Sequence, residues 1–120
     1  MKKKTLVIGA SQNPERYSFK AIKALLHHNH EVLALGLKEG EVDGVQIQTG
    51  KPQMENLDTV TLYIGPAHQP EFYEYILSLK PKRIIFNPGT ENPAFEELAA
   101  KANIETEEAC TLVLLSIGAY

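Results

Sequence analysis

The segment Thr5-Leu6-Val7-Ile8-Gly9-Ala10-Ser11 runs straight into Asn13-Pro14-Glu15-Arg16-Tyr17-Ser18 and a helical pattern. A buried apolar strand, a tight Gly-Ala-Ser turn and a helix start in that order constrain the fold strongly. They aim backbone N–H groups and the positive end of a helix dipole at one spot, which is an anion site. A strand that is apolar at every position is also covered on both faces, as in a parallel sheet flanked by helices.

The same alternation repeats along the chain. Ser18 to Asn29 reads as a helix with Phe19, Ile22, Leu25 and Leu26 on one face, and Glu31 to Leu37 as a second strand. Lys38 to Gly50, rich in glycine and acidic residues, reads as a crossover loop with at most a minor strand at Val45-Gln46-Ile47. Thr59 to Ile64 is a third strand ending at Gly65-Pro66, and Gln69 to Leu79 a helix with Phe72, Ile76 and Leu79 inward. Arg83 to Phe86 is a fourth strand ending at Asn87-Pro88-Gly89. Asn92 as N-cap and Pro93 at the first helical position start a helix to Ala102. Ile104 to Thr106 reads as a short edge strand, and Glu107 or Glu108 to about Ile117 as a last helix whose apolar residues are core. The expectation is one domain over residues 1–120: a Rossmann-like three-layer α/β/α fold with a five-stranded parallel sheet in the order 3-2-1-4-5.

In such a sheet, ligands bind beyond the carboxyl ends of the strands near the switch in strand order. Four strand tips carry Gly or Pro: Gly9-Ala10-Ser11, Gly36-Leu37-Lys38, Gly65-Pro66-Ala67-His68 and Asn87-Pro88-Gly89. Small side chains there let backbone approach a ligand closely. One glycine in the first turn falls short of G-x-G-x-x-G. Ser11 is placed to bond a phosphate or to cap a turn, and Arg16 to reach a pyrophosphate or to stand in water. At the second tip an NAD site wants a carboxylate. Lys38 stands there instead, suiting a phosphorylated ribose as in NADP or coenzyme A, with Glu39 one residue on.

These residues resemble the small stand-alone CoA-binding domain proteins, which are similar to the nucleotide-binding domain of the succinyl-CoA synthetase alpha subunit. The resemblance spans essentially the whole chain. It rests on Val7 to Ser18 (VIGASQNPERYS) and on the endings Ile64-Gly65-Pro66-Ala67 and Phe86-Asn87-Pro88-Gly89. It implies that coenzyme A or an acyl-CoA lies across the strand tips. Gly9, Ala10, Ser11, Asn13, Arg16, Tyr17 and Ser18 would surround the pyrophosphate, and Gly36, Leu37 and Lys38 would meet the ribose phosphate and sugar. Ile64, Gly65 and Pro66 would line the adenine side, and Phe86 and Asn87 the pantetheine path. Many members carry a Val-Asn-Pro-like ending on the second strand, where this chain has Leu35-Gly36-Leu37. The synthetase's ligase domain has no counterpart in this sequence, so ligase chemistry is not expected.

Catalytic residues are harder to find. There is no Ser-His-Asp arrangement, P-loop or convincing carboxylate pair. His68 faces the expected crevice as an acid or base, or more simply as a cap or nucleotide contact. His27, His28 and His30 sit at a helix end, where they meet the negative end of the dipole. A metal pair at His27 and His30 has no cysteine or acidic cluster behind it. Glu96, Glu97, Glu107 and Glu108 read as first-turn helix carboxylates. Cys110 is the only cysteine, which excludes an internal disulfide and fits a cytoplasmic protein. A formal charge of −3 argues against nucleic acid as partner. No stretch is long enough to span a membrane. The sheet edge and the tail at Tyr120 leave room for a homodimer or a protein partner. The reading is a non-catalytic CoA-binding or sensing module. The alternative is a small NAD(P)-binding Rossmann protein with weak or partner-dependent activity, using His68.

Overall fold

A computed structural model describes residues 2–120. Its sheet contains β1 (Thr5–Ile8), β2 (Val32–Leu35), β3 (Gly40–Val42), β4 (Val45–Gln48), β5 (Thr59–Leu62), β6 (Arg83–Phe86) and β7 (Glu105–Glu108). The helices are α1 (Tyr17–His27), α2 (Tyr73–Leu79), α3 (Pro93–Lys101) and α4 (Thr111–Ser116).

The seven strands lie in the order β3-β4-β2-β1-β5-β6-β7. This corrects the five-stranded 3-2-1-4-5 expectation. All pairings are parallel except the antiparallel β3–β4 hairpin. Counted along the chain, the parallel strands alone run 3-2-1-4-5-6. The segment read as a crossover loop supplies the extra strands. Asp43 (φ 48°) and Gly44 (φ 87°) both take left-handed conformations at the hairpin turn, as a tight two-residue turn requires.

Two apolar layers hold the sheet. Leu6, Ile8, Val60, Leu62, Ile84 and Phe86 face α2 and α3. Val7 and Ala34 alternate to the other face and pack on Ile22 and Leu25 of α1 and Leu115 of α4. On α1 the buried positions are Ser18, Ala21, Ile22 and Leu25, one stripe at helical spacing. Asn92 caps α3 as its sequence indicates, its side chain accepting from Phe95 N at 3.2 Å.

Other boundaries move. The helix expected from Gln69 starts only at Tyr73, after two short 3-10 turns, Pro66–His68 and Pro70–Phe72. Pro70 has no N–H to continue an α-helical ladder begun upstream. Glu107 and Glu108 belong to β7, not to a helical first turn, because parallel pairing to Ile85 and Phe86 claims their backbone. The last helix is therefore short, and Val113 and Ile117 point outward rather than into the core.

Candidate functional site

The carboxyl ends of β1, β2, β5 and β6 surround a cavity of about 670 Å3. Ligand sites commonly fall in the range of roughly 300–1,000 Å3. The cavity sits where the chain, having laid strands on one side of β1, returns to lay β5 on the other.

Its floor is the β1–α1 loop. Gly9 takes φ +95°, and a Cβ there would stand 2.9 Å from the carbonyl carbon and oxygen of Tyr63, so only glycine fits. The N–H groups of Gly9 and Ala10 both donate to the Leu35 carbonyl, at 2.9 and 2.8 Å. These two amides are thus turned toward β2 and are not the anion donors expected of them. Ser11 Oγ accepts from Asn13 N, and Asn13 Oδ1 from Glu15 N, each at 3.0 Å. Both side chains shape the loop, while the Ser11 hydroxyl proton remains free.

The donors that remain lie further along. No protein group accepts from the N–H of Ser11, Gln12, Tyr17 or Ser18 among the described residues. The first amides of a helix have no intrahelical acceptor, and Arg16, the N-cap of α1, supplies no side-chain cap. Arg16 and Lys38 bring positive charge to the same wall, with Glu15 and Glu39 beside them. Tyr17 is 66% exposed and Leu37 98% exposed, both on the rim. An apolar side chain left so open beside unspent donors suits a ligand with both flat apolar and anionic parts.

The opposite wall is Tyr63, Ile64 and Gly65 after β5 and Pro88, Gly89 and Thr90 after β6. It carries no cation. The Tyr63 side chain packs against the core layer of Val7, Ile22, Leu25 and Leu115, and its hydroxyl is out of solvent without a hydrogen-bond partner among the described residues. Burial pushes the Tyr63 phenol up to about 12, so it stays neutral at ordinary pH.

Residues 3–116 match the model of the CoA binding domain. This chain belongs to the CoA binding domain family. An uncharacterized protein of known crystal structure is 50% identical to it, with TM-score 0.98, 100% of this chain and 99% of that chain being covered. A hypothetical protein from Pyrococcus horikoshii OT3 is 25% identical, with TM-score 0.84 over 93% of this chain and 80% of that one. A Thermus thermophilus structure shares the fold at 20% identity and TM-score 0.84, covering 98% of this chain and 91% of that one. No curated protein matches.

Within this CoA binding domain, Gly9, Ala10, Ser11, Asn13, Arg16, Tyr17, Ser18, Leu37, Lys38, Ile64 and Gly65 all line the cavity. Gly36 does not; it packs under the loop against Ala10. Pro66 and His68 lie in the exposed 3-10 turn beyond Gly65, outside the lining. Phe86 and Asn87 are corrections of a different kind. Phe86 is wholly buried and packs edge-on against Phe95 at 5.8 Å. Asn87 is 2% exposed: Nδ2 donates to Thr61 Oγ1 (2.7 Å) and the Leu62 carbonyl (2.8 Å), and Oδ1 accepts from Thr111 N (2.9 Å). Strand alternation points Phe86 into the core, and the cavity is met by the residues that follow, Pro88 to Thr90.

The reading from sequence also missed Gln12, Glu15 and Tyr63 as lining residues. Gln12 reaches sideways, its Oε1 accepting from Glu41 N at 2.9 Å, and ties the loop to the β3–β4 hairpin. The first three histidines do not converge. His27 and His28 meet edge to face at 5.7 Å, while His30 Nδ1 accepts from Lys3 N at 2.9 Å. No group of three or more His, Cys, Asp or Glu is arranged to hold a metal ion, and no helix is long and apolar enough to cross a membrane, among the described residues.

Proposed function

We propose that this domain binds coenzyme A or an acyl-CoA across the strand tips as a binding or sensing module. The observation that carries the reading is the set of unspent amides at Ser11, Gln12, Tyr17 and Ser18, next to Arg16 and Lys38, in one cavity. A diphosphate would meet those donors and the start of α1. Lys38 would pair with the ribose phosphate, and the open Leu37 and Tyr17 would pack against the adenosine. The neutral pantetheine arm would cross the uncharged wall between Ile64-Gly65 and Pro88-Gly89. Family membership supports the ligand class.

Glu39, which lines the same wall as Lys38, favours a second reading, an NAD-type nucleotide whose ribose hydroxyls the carboxylate would accept from. The proton-transfer role attached to that reading loses its group, since His68 stands outside the cavity. Thermal denaturation with CoA, acetyl-CoA, NAD and NADP separates the two. A rise in melting temperature with CoA and acetyl-CoA alone is expected. A preference for NAD or NADP, or no shift with any of the four, would remove the CoA assignment.

A further inference from the structure

Among the described residues, Gln69 is the one fully buried side-chain amide bonded to both loops of the uncharged cavity wall. It is 0% exposed. Its Nε2 donates to the Ile64 carbonyl at 3.0 Å and to the Thr90 carbonyl at 2.8 Å. Ile64 and Thr90 both line the cavity, from the ends of β5 and β6. Its Oε1 accepts from Asn92 Nδ2 at 3.0 Å, and Asn92 also donates to Tyr73 Oη at 2.8 Å while capping α3. One amide therefore spends both of its protons bridging two neighbouring strand tips and is itself held by a helix cap.

The backbone around Gln69 is built to keep it there. Pro66 and Pro70 each open one of the two 3-10 turns, and Gln69 is their junction. Fixed φ at both prolines leaves the intervening chain little freedom. The Gln69 carbonyl accepts from Phe72 N at 2.8 Å. A loop that only had to connect β5 to α2 would need none of this.

We propose that Gln69 is a positioning residue that fixes the separation of the β5 and β6 tips, and so the width of the slot taken by the neutral arm of the ligand. This rests on the CoA reading for the identity of the arm, but the bracing itself does not. Without the amide, the buried Thr90 carbonyl and the part-buried Ile64 carbonyl lose their donor, and the tips are free to separate or to admit water. Gln69 shares no hydrogen bond with the β1–α1 loop or Lys38; Gly9 rests against Tyr63 and Ile64, while the amides from Ser11 onward and Lys38 are expected to keep their places.

The test compares Gln69→Met, which keeps the side chain's length and loses its donors, with Asn92→Ser. Serine keeps a helix cap but withdraws the support on Oε1. Calorimetric affinities are measured for CoA and for 3′,5′-adenosine diphosphate, which carries phosphates without the arm. Gln69→Met is expected to weaken CoA about tenfold, the scale of one or two buried hydrogen bonds, and to leave the adenosine diphosphate unchanged. Asn92→Ser is expected to move CoA in the same direction by less. Equal weakening of both ligands, or of neither, would overturn the proposal. Hydrogen exchange without ligand gives an independent answer: residues 63–68 and 88–92 should exchange faster together in both variants, with residues 11–18 unaffected. If the wild-type domain fails to bind CoA, the function falls while that exchange pattern still decides the brace. Should Gln69→Met not fold, Asn92→Ser carries both measurements.

Discussion

Gly36 at the end of β2 packs so closely under Ala10 that a side-chain carbon on it would overlap the Ala10 carbonyl oxygen. The β1–α1 loop thus rests on the tip of β2, and the Leu35 carbonyl pins it by accepting from Gly9 and Ala10. Gly36→Ala should push the loop outward. Overpacking of this kind costs about 1–3 kcal/mol, visible as a lower melting temperature. If the loop's seat positions the ligand, the same displacement should also weaken CoA. A folded Gly36→Ala protein with native affinity would show that the loop's seat on β2 does not position the ligand.

Lys38 stands in solvent at the cavity wall. If it pairs with the ribose phosphate, Lys38→Ala should weaken CoA about tenfold and dephospho-CoA hardly at all, as expected for one charge-assisted contact. The difference should shrink as salt is raised. Equal loss for both ligands in a titration series would take Lys38 out of that role.

His30 carries a pH dependence of stability. Burial, then the nearby charges of His28, Lys3 and Arg83, holds its pKa below the ordinary value of 6.5. Its Nδ1 also accepts from Lys3 N, and its ring lies 4.9 Å from that of Tyr120. The unfolded chain therefore binds a proton at a higher pH than the native state does. This contribution to stability is complete above pH 6.5 and is lost as pH falls through the lower, native pKa. His30→Gln should flatten the decline in melting temperature on the acid side of that value. Parallel curves for the two proteins would refute it.

Asn87 tests the correction made at the fourth strand tip. Asn87→Ala leaves Thr111 N and the Leu62 carbonyl without a buried partner, a loss of roughly 1–3 kcal/mol for each group stranded. Because Asn87 lies outside the cavity lining, CoA affinity of the folded fraction should not change. Denaturant unfolding and calorimetry on the same samples separate the two effects.

Much of this architecture was legible because it is local. The apolar run at Thr5–Ile8, the inward Ile22 and Leu25 of α1, and the Asn92-Pro93 helix start each announce themselves within a few residues, although Phe19 and Leu26, expected on the same face, are only partly buried. The Asp43-Gly44 turn is a local hairpin signal too, but three-residue β3 is too short for alternation to show. What stayed hidden depends on partners distant in sequence. Phe86 and Asn87 looked like ligand contacts by position, and only the pairing of β6 with β5 and β7 decides that Phe86 faces Phe95. Gly36 stands out in the sequence as a strand-tip glycine, but its close packing under Ala10 shows only in the fold. Gln69 gave no signal of this role, since it reads as the first residue of a helix until the carbonyls of Ile64 and Thr90 are brought to it.

The strand β7 ends the sheet on Glu105, Glu107 and Glu108, with Glu105 and Glu108 exposed. Its outer backbone has no neighbouring strand, and an open edge is a template on which another copy can add. A second copy offering the same edge would bring the same carboxylates with it, and their repulsion discourages stacking into fibrils.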